Sequence, residues 1–135
     1  MSGGYVSCGR WMGEDKSCSG FMPLLDLLET LVRDDERAYW EAELATPLRS
    51  QFDSTPEDDM PYVTLTPPMM ECLAKFVRRY VEIELAKGVA PEPDTSDDGS
   101  GWRAGPGWRL YCAVDLVRAQ EESAASGHDV IIHYD

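Results

Sequence analysis

Residues 62–88 read YVTLTPPMMECLAKFVRRYVEIELAKG and carry the clearest structural signal in the chain. The first four residues alternate in polarity and are rich in β-branched and aromatic side chains, which is typical of a strand. Thr66 then suits the N-cap of a helix, Pro67 its first turn, and Gly88 the position after its last turn. Apolar side chains recur on one helix face, at Met69, Leu73, Phe76, Val77, Tyr80 and Val81. The segment therefore predicts a strand followed by an amphipathic helix.

The same two patterns recur on both sides of this segment. They predict strands at Tyr5–Met12, Tyr62–Leu65 and Asp129–Tyr134, and helices at Pro23–Ala45, Pro67–Lys87 and Trp108–Ser126. The first helical region is either one bent helix or two short helices that meet near Asp34 and Asp35. Residues 46–60 are predicted to be a loop, because the residue before Pro47 disfavours helix continuation. The predicted fold class is α+β, with about three helices packed on a small, mostly antiparallel sheet.

The length of 135 residues is that of one domain. We predict a single domain over residues 1–135, with residues 1–20 as a loosely attached N-terminal segment. Residues 89–107 are predicted to form a long loop rich in Gly, Pro and Asp. No run of 18 apolar residues is present, and the N-terminus lacks the apolar core of a secretory signal. The sequence therefore predicts a cytoplasmic protein that does not span a membrane.

The charge of the chain is its most unusual property. Its net charge is −13, and residues 23–60 hold eleven acidic residues against three basic ones. Phosphate contacts require a surface rich in Lys and Arg, so this charge predicts no nucleic-acid partner and no docking on anionic membranes. A local acidic field attracts basic partners, so a basic protein is the expected partner. The alternative is that these acids only keep the protein soluble.

Two groups of residues are candidates for partner contacts. The acidic segment contributes Asp35, Glu36, Tyr39, Trp40, Glu43, Asp58 and Asp59. The long loop contributes Trp102 and Arg103, because the triplet Gly-Trp-Arg at 101–103 recurs at 107–109 and Trp and Arg dominate binding hot spots. The alternative for the loop is that its tryptophans fold back onto the core.

Basic residues on the long helix are a third feature. Lys75, Arg78 and Arg79 lie off its apolar stripe. They either pair with the acids of residues 23–60 or bind a phosphate or an acidic peptide.

The sequence contains no recognisable catalytic or metal-binding motif. Cys8, with His133 as its base, is the least unfavourable nucleophile. The cysteine spacing matches no zinc site, and Cys72 and Cys112 fall among apolar helical positions. Cys8 and Cys18 are either bridged or free thiols. We therefore predict no catalytic residues, no metal and no cofactor.

Three functions are compatible with these features. The favoured one is a non-enzymatic, acidic protein-binding module that captures a basic partner by electrostatic steering, like a small inhibitor or immunity protein. This comparison is an analogy of size and charge. One alternative is an enzyme or small-ligand-binding protein with a pocket under the 90–107 loop. The other is a structural or assembly subunit of phage or mobile-element origin. The sequence leaves the oligomeric state open.

Overall fold

The computed structural model describes residues 4–13, 21–54, 62–91 and 106–134. We number its strands and helices in chain order. The strands are β1 (Gly4–Cys8), β2 (Trp11–Met12), β3 (Tyr62–Leu65) and β4 (Val130–Tyr134). The helices are α1 (Phe21–Thr30), α2 (Arg37–Trp40), α3 (Thr46–Ser54), α4 (Pro67–Ala86) and α5 (Pro106–Ser126), with a 3₁₀ turn at Asp34–Glu36 and a π turn at Glu41–Ala45.

The four strands form one antiparallel sheet in the order β2-β1-β4-β3. In its register, Cys8 lies opposite Val130, and Leu65 lies opposite Val130 on the other side of β4. These three side chains are buried, whereas Ser7 and Ile131, one residue along, are only half-buried. Because side chains alternate along a strand, one sheet face meets the helices and the other faces away from them. The α+β prediction is confirmed, although the helical segments outnumber the three predicted.

The long helix α4 forms the centre of the hydrophobic core. Five of the six apolar positions that the sequence placed on one face are buried, and Val81 is half-buried. The buried residues of α4 are Met69, Met70, Cys72, Leu73, Ala74, Phe76, Val77 and Tyr80. Thr66 occupies the N-cap position with extended backbone, but its side chain makes no capping hydrogen bond. Gly88 has a φ of 88° and ends the helix in the left-handed conformation that glycine adopts most easily. Leu85 is 53% exposed, so the apolar face stops before the last turn.

The predicted strand at Tyr5–Met12 is wrong in one respect, because it is a hairpin. Gly9 has a φ of 59° and turns the chain between β1 and β2. Left-handed backbone is inexpensive for glycine, which explains why the strand breaks there. Within the predicted N-terminal segment, β1 is an interior strand of the sheet, between β2 and β4. The rest of the predicted N-terminal segment lies outside the described residues.

The predicted loop at residues 46–60 is also wrong over its first part, where α3 continues to Ser54. Pro47 lacks an N–H, and its ring would clash with the carbonyl of Glu43 in a regular α-helix. The π turn immediately before it widens the helix, with the Thr46 N–H bonded to the carbonyl of Glu41, five residues back. The region before it forms two separate helical stretches and not one bent helix. The first, α1, ends at Thr30, and the second begins with the 3₁₀ turn at Asp34–Glu36.

A side chain from α3 covers the β3 edge of the sheet. The Gln51 amide nitrogen donates to the Thr64 carbonyl at 2.6 Å, and the Thr64 N–H donates to the Gln51 amide oxygen at 3.0 Å. The side-chain amide thus occupies the place of a further strand residue. Pairing of this kind satisfies backbone groups that an open edge would offer to another chain.

We expect Gln51→Ala to lower the free energy of unfolding by about 1–3 kcal/mol, because it leaves two partly buried backbone groups without partners. The Thr64 amide should also exchange its hydrogen faster. Ser50→Ala, an exposed change on the same helix, is the control and should leave both quantities near wild type. Urea unfolding and amide hydrogen exchange measure the two effects. An unchanged exchange rate at Thr64 would show that Gln51 does not protect this edge.

Candidate functional site

The acidic segment places its predicted contact residues on two opposite sides. Asp35 and Tyr39 point outward and are exposed, and Glu43 is half-buried. Glu36 and Trp40, each one position further along, point inward and are buried. Burial separates the two sets here, because the segment runs through a 3₁₀ turn, α2 and a π turn and has no single helical period.

The inward carboxylate of Glu36 is held by groups from two parts of the chain. Arg79 of α4 donates to both of its oxygens, at 2.7 and 2.8 Å. The Arg33 N–H donates to the first oxygen at 3.0 Å, and the Lys75 ammonium lies 3.1 Å from the second. Arg79 also donates to the Leu31 carbonyl at 2.9 Å. This network fastens the acidic segment to α4.

The network changes the acidity of its members. The hydrogen bonds from Arg79, followed by that from the Arg33 N–H, hold the pKa of Glu36 well below its usual range, although burial opposes them. The same hydrogen bond to Glu36 raises the pKa of Arg79. Both groups therefore remain charged across the physiological range.

Trp40 is part of the hydrophobic core. It is 4% exposed, and its ring meets Phe76 edge-to-face at a centroid distance of 5.1 Å. Phe76 is fully buried, and the Arg79 guanidinium lies 5.2 Å from its ring. Because both side chains are buried, Glu36 and Trp40 do not reach a partner without rearrangement. They instead pack beneath the outward residues of the same segment.

We define the Tyr39 face as Asp35, Tyr39, Glu43 and Glu71. Tyr39 is 36% exposed, and its hydroxyl hydrogen-bonds the sulfur of Cys72. Partial burial raises the pKa of the Tyr39 phenol, and its interaction with Cys72 and the nearby charges of Glu71 and Glu43 raise it further. Glu71 is an exposed residue of α4 that sequence reasoning missed. Nothing in the local pattern links it to a tyrosine more than thirty residues earlier.

The other predicted contact residues are not part of this geometry. Asp58, Asp59, Trp102 and Arg103 lie outside the described residues.

The basic residues of α4 bond within the protein, but only two of them pair with an acid of residues 23–60, as one of the two sequence hypotheses predicted. Lys75 and Arg79 pair with Glu36, and Arg78 donates to the Gln120 side chain of α5 at 2.8 Å. The ion pairs of the Glu36 network are internal, which favours a structural use over a phosphate site.

Cys8 is a free thiol, so it does not form the bridge to Cys18 that the sequence left open. Cys8 is buried and contacts the His128 carbonyl through its sulfur, at 3.6 Å. Burial raises the pKa of the Cys8 thiol, and it raises that of the Cys72 thiol to about 11. A high pKa leaves little thiolate, which is the nucleophilic form.

The structure rules out His133 as a base for Cys8, because the two residues lie on opposite faces of the sheet. Strand alternation places Cys8 on the core side. His133 instead lies 3.1 Å from the hydroxyl of Ser7, on the other side. Among the described residues no group of three His, Cys, Asp or Glu side chains is arranged to hold a metal ion.

Comparison of the chain with protein-family models, with curated proteins and with solved structures yields no match. No helix in the described ranges is both long enough and apolar enough to cross a membrane.

Proposed function

We propose that this protein is a small acidic binding module that captures a basic protein partner through the Tyr39 face. The observation that carries the proposal is a partly exposed tyrosine ring with nearby carboxylates from two separate chain segments, Glu43 and Glu71. Tyrosine provides contact area with a small loss of conformational freedom on binding. The carboxylates provide the attraction for a basic surface.

The charges of this face are available to a partner. Within the described part of the chain, Asp35, Glu43 and Glu71 take part in no ion pair. By contrast, Glu29 pairs with Arg37 and Glu41 pairs with Arg49. The three acids of the Tyr39 face are therefore among the described carboxylates whose charge the protein does not neutralise by direct pairing.

The support beneath the face favours recognition without rearrangement. The Glu36 network and the Trp40–Phe76 contact hold the outward residues against α4. A preorganised surface loses little side-chain freedom when it binds. Encounter is accelerated by the acidic field of the whole chain, and the local carboxylates then orient the partner.

The test compares two variants with the same change in net charge. The face variant carries Asp35→Asn, Glu43→Gln and Glu71→Gln. The control variant carries Glu82→Gln, Glu121→Gln and Asp129→Asn, which neutralises three exposed acids elsewhere. Stopped-flow mixing with a fluorescent peptide rich in Lys and Arg measures the association rate at low and high salt.

We expect the face variant to associate about tenfold more slowly at low salt and the control variant to stay within about twofold of wild type. Added salt should slow the wild type strongly, because it screens exposed charges. An equal loss in both variants would mean that only the total charge matters, which would support the solubility function. A wild-type rate that ignores salt would overturn electrostatic capture.

A further inference from the structure

The Tyr39 ring already has a cation over it. The ammonium of Lys75 lies 5.4 Å from the centroid of Tyr39 and 5.6 Å from that of Phe76. It also lies 3.1 Å from a carboxylate oxygen of Glu36. An ammonium within about 6 Å of an aromatic ring is attracted by the negative potential of the ring face.

Of the two rings, the one that a partner reaches is Tyr39. Phe76 is fully buried, whereas Tyr39 is 36% exposed. Lys75 is itself about half exposed, with a side-chain exposure of 47%. The internal cation and a cation from a partner would therefore meet at the same ring.

We propose that recognition at this face is an exchange of cations, in which an arginine side chain of the partner displaces the Lys75 ammonium from the Tyr39 ring. This inference rests on the proposed function, because it assigns the type of partner residue and an internal competitor to the same face. Lys75 keeps its ion pair with Glu36 as it leaves the ring, since that pair does not depend on the Tyr39 contact.

Two properties of the face favour arginine over lysine as the incoming residue. The guanidinium is planar and weakly hydrated, so it stacks on an aromatic ring at a smaller desolvation cost than an ammonium. A guanidinium that stacks on the ring also keeps its five in-plane N–H groups available as donors. Glu43 and Glu71 near Tyr39 are acceptors for them.

Release of Lys75 leaves no carboxylate without a partner. Glu36 retains its two hydrogen bonds from Arg79 and the one from the Arg33 N–H. The flexible stem of Lys75 lets its ammonium move off the ring while it stays beside Glu36. The acidic segment therefore stays attached to α4 during the exchange.

The experiment uses two peptides of equal length and charge, one with arginine and one with lysine at every basic position. Binding to the full chain is followed by NMR, through the ring resonances of Tyr39, and by titration calorimetry. The variants are Lys75→Met and, as a control with the same charge change, Lys87→Met. Lys87 is an exposed residue whose ammonium lies 3.5 Å from Glu84, in the last part of the α4 region.

We expect the arginine peptide to bind about threefold or more tightly than the lysine peptide, and Tyr39→Leu to abolish that preference. Lys75→Met should raise the affinity for the arginine peptide about threefold more than Lys87→Met does. Equal affinity for both peptides, or equal effects of the two lysine variants, would overturn the exchange while leaving the proposed function intact. Binding of neither peptide at Tyr39 would overturn both.

Discussion

We expect Trp40→Ala to lower the free energy of unfolding by about 3–5 kcal/mol, which is a large part of the stability of an ordinary domain. The indole is 4% exposed and packs edge-to-face on Phe76. Removing it leaves a cavity between the acidic segment and α4 that the fully buried Phe76 ring cannot fill without losing its own contacts. Urea unfolding followed by far-ultraviolet circular dichroism measures the loss.

Tyr39→Ala is the matched control, because it removes the neighbouring aromatic ring from the surface. We expect it to cost clearly less than Trp40→Ala, about 1–2 kcal/mol, because it removes a partly exposed ring and one hydrogen bond to Cys72. Trp40→Phe should retain much of the stability by keeping an aromatic ring in the core. A fully stable Trp40→Ala variant would show that Trp40 is not part of the core, and it would return this residue to the set of candidate contacts.

Glu36→Gln should also be strongly destabilising, because it removes the charge that Arg79 and Lys75 share. Glutamine retains the shape but offers one acceptor oxygen in place of two, so the two-point contact with Arg79 is lost. The exposed pair of Glu29 with Arg37, at 3.4 Å, is the comparison. We expect the shift of the urea midpoint for Glu36→Gln to be about threefold or more that for Glu29→Gln. Similar shifts would mean that the network adds no more than a surface pair.

The effect of Glu36→Gln should depend on pH in a definite direction. The pKa of Glu36 is lowered in the folded protein, so its charge stabilises the fold fully above the ordinary value of 4.5. The advantage of wild type over Glu36→Gln should then shrink steadily as the pH falls below about 4.5 toward the folded-state pKa. The difference between wild type and Glu29→Gln should stay small throughout. Urea midpoints measured from neutral to strongly acidic pH provide the comparison, and a difference that ignores pH would contradict the charge argument.

The secondary structure was most predictable where several local signals agree. In α4, the N-terminal proline, the apolar periodicity and the final glycine all specify one helix, and the structure contains it from Pro67 to Ala86. Prediction failed where a local signal was countered by its neighbours. Pro47 argues for a helix end, but the π turn before it accommodates the proline ring and the helix continues.

The candidate site was predictable only in part. The acidic segment and Tyr39 were proposed as contacts from sequence and remain a proposal, whereas Glu36 and Trp40, proposed beside them, are buried. Which side of a short helix is buried depends on what packs against it, and here that is α4 with Phe76 and Arg79. Glu71 was missed for the same reason, since its approach to Tyr39 joins distant parts of the chain.

The sequence by itself determined the α+β class, the long amphipathic helix and the excess of acids in residues 23–60, because these follow from composition and local periodicity. Only the tertiary structure decided that Glu36 is buried and neutralises internal cations, whereas Asp35 and Glu43 form no ion pair within the described residues. The physical reason is that a buried carboxylate is costly unless it is paired and hydrogen-bonded, whereas an exposed carboxylate is stabilised by water.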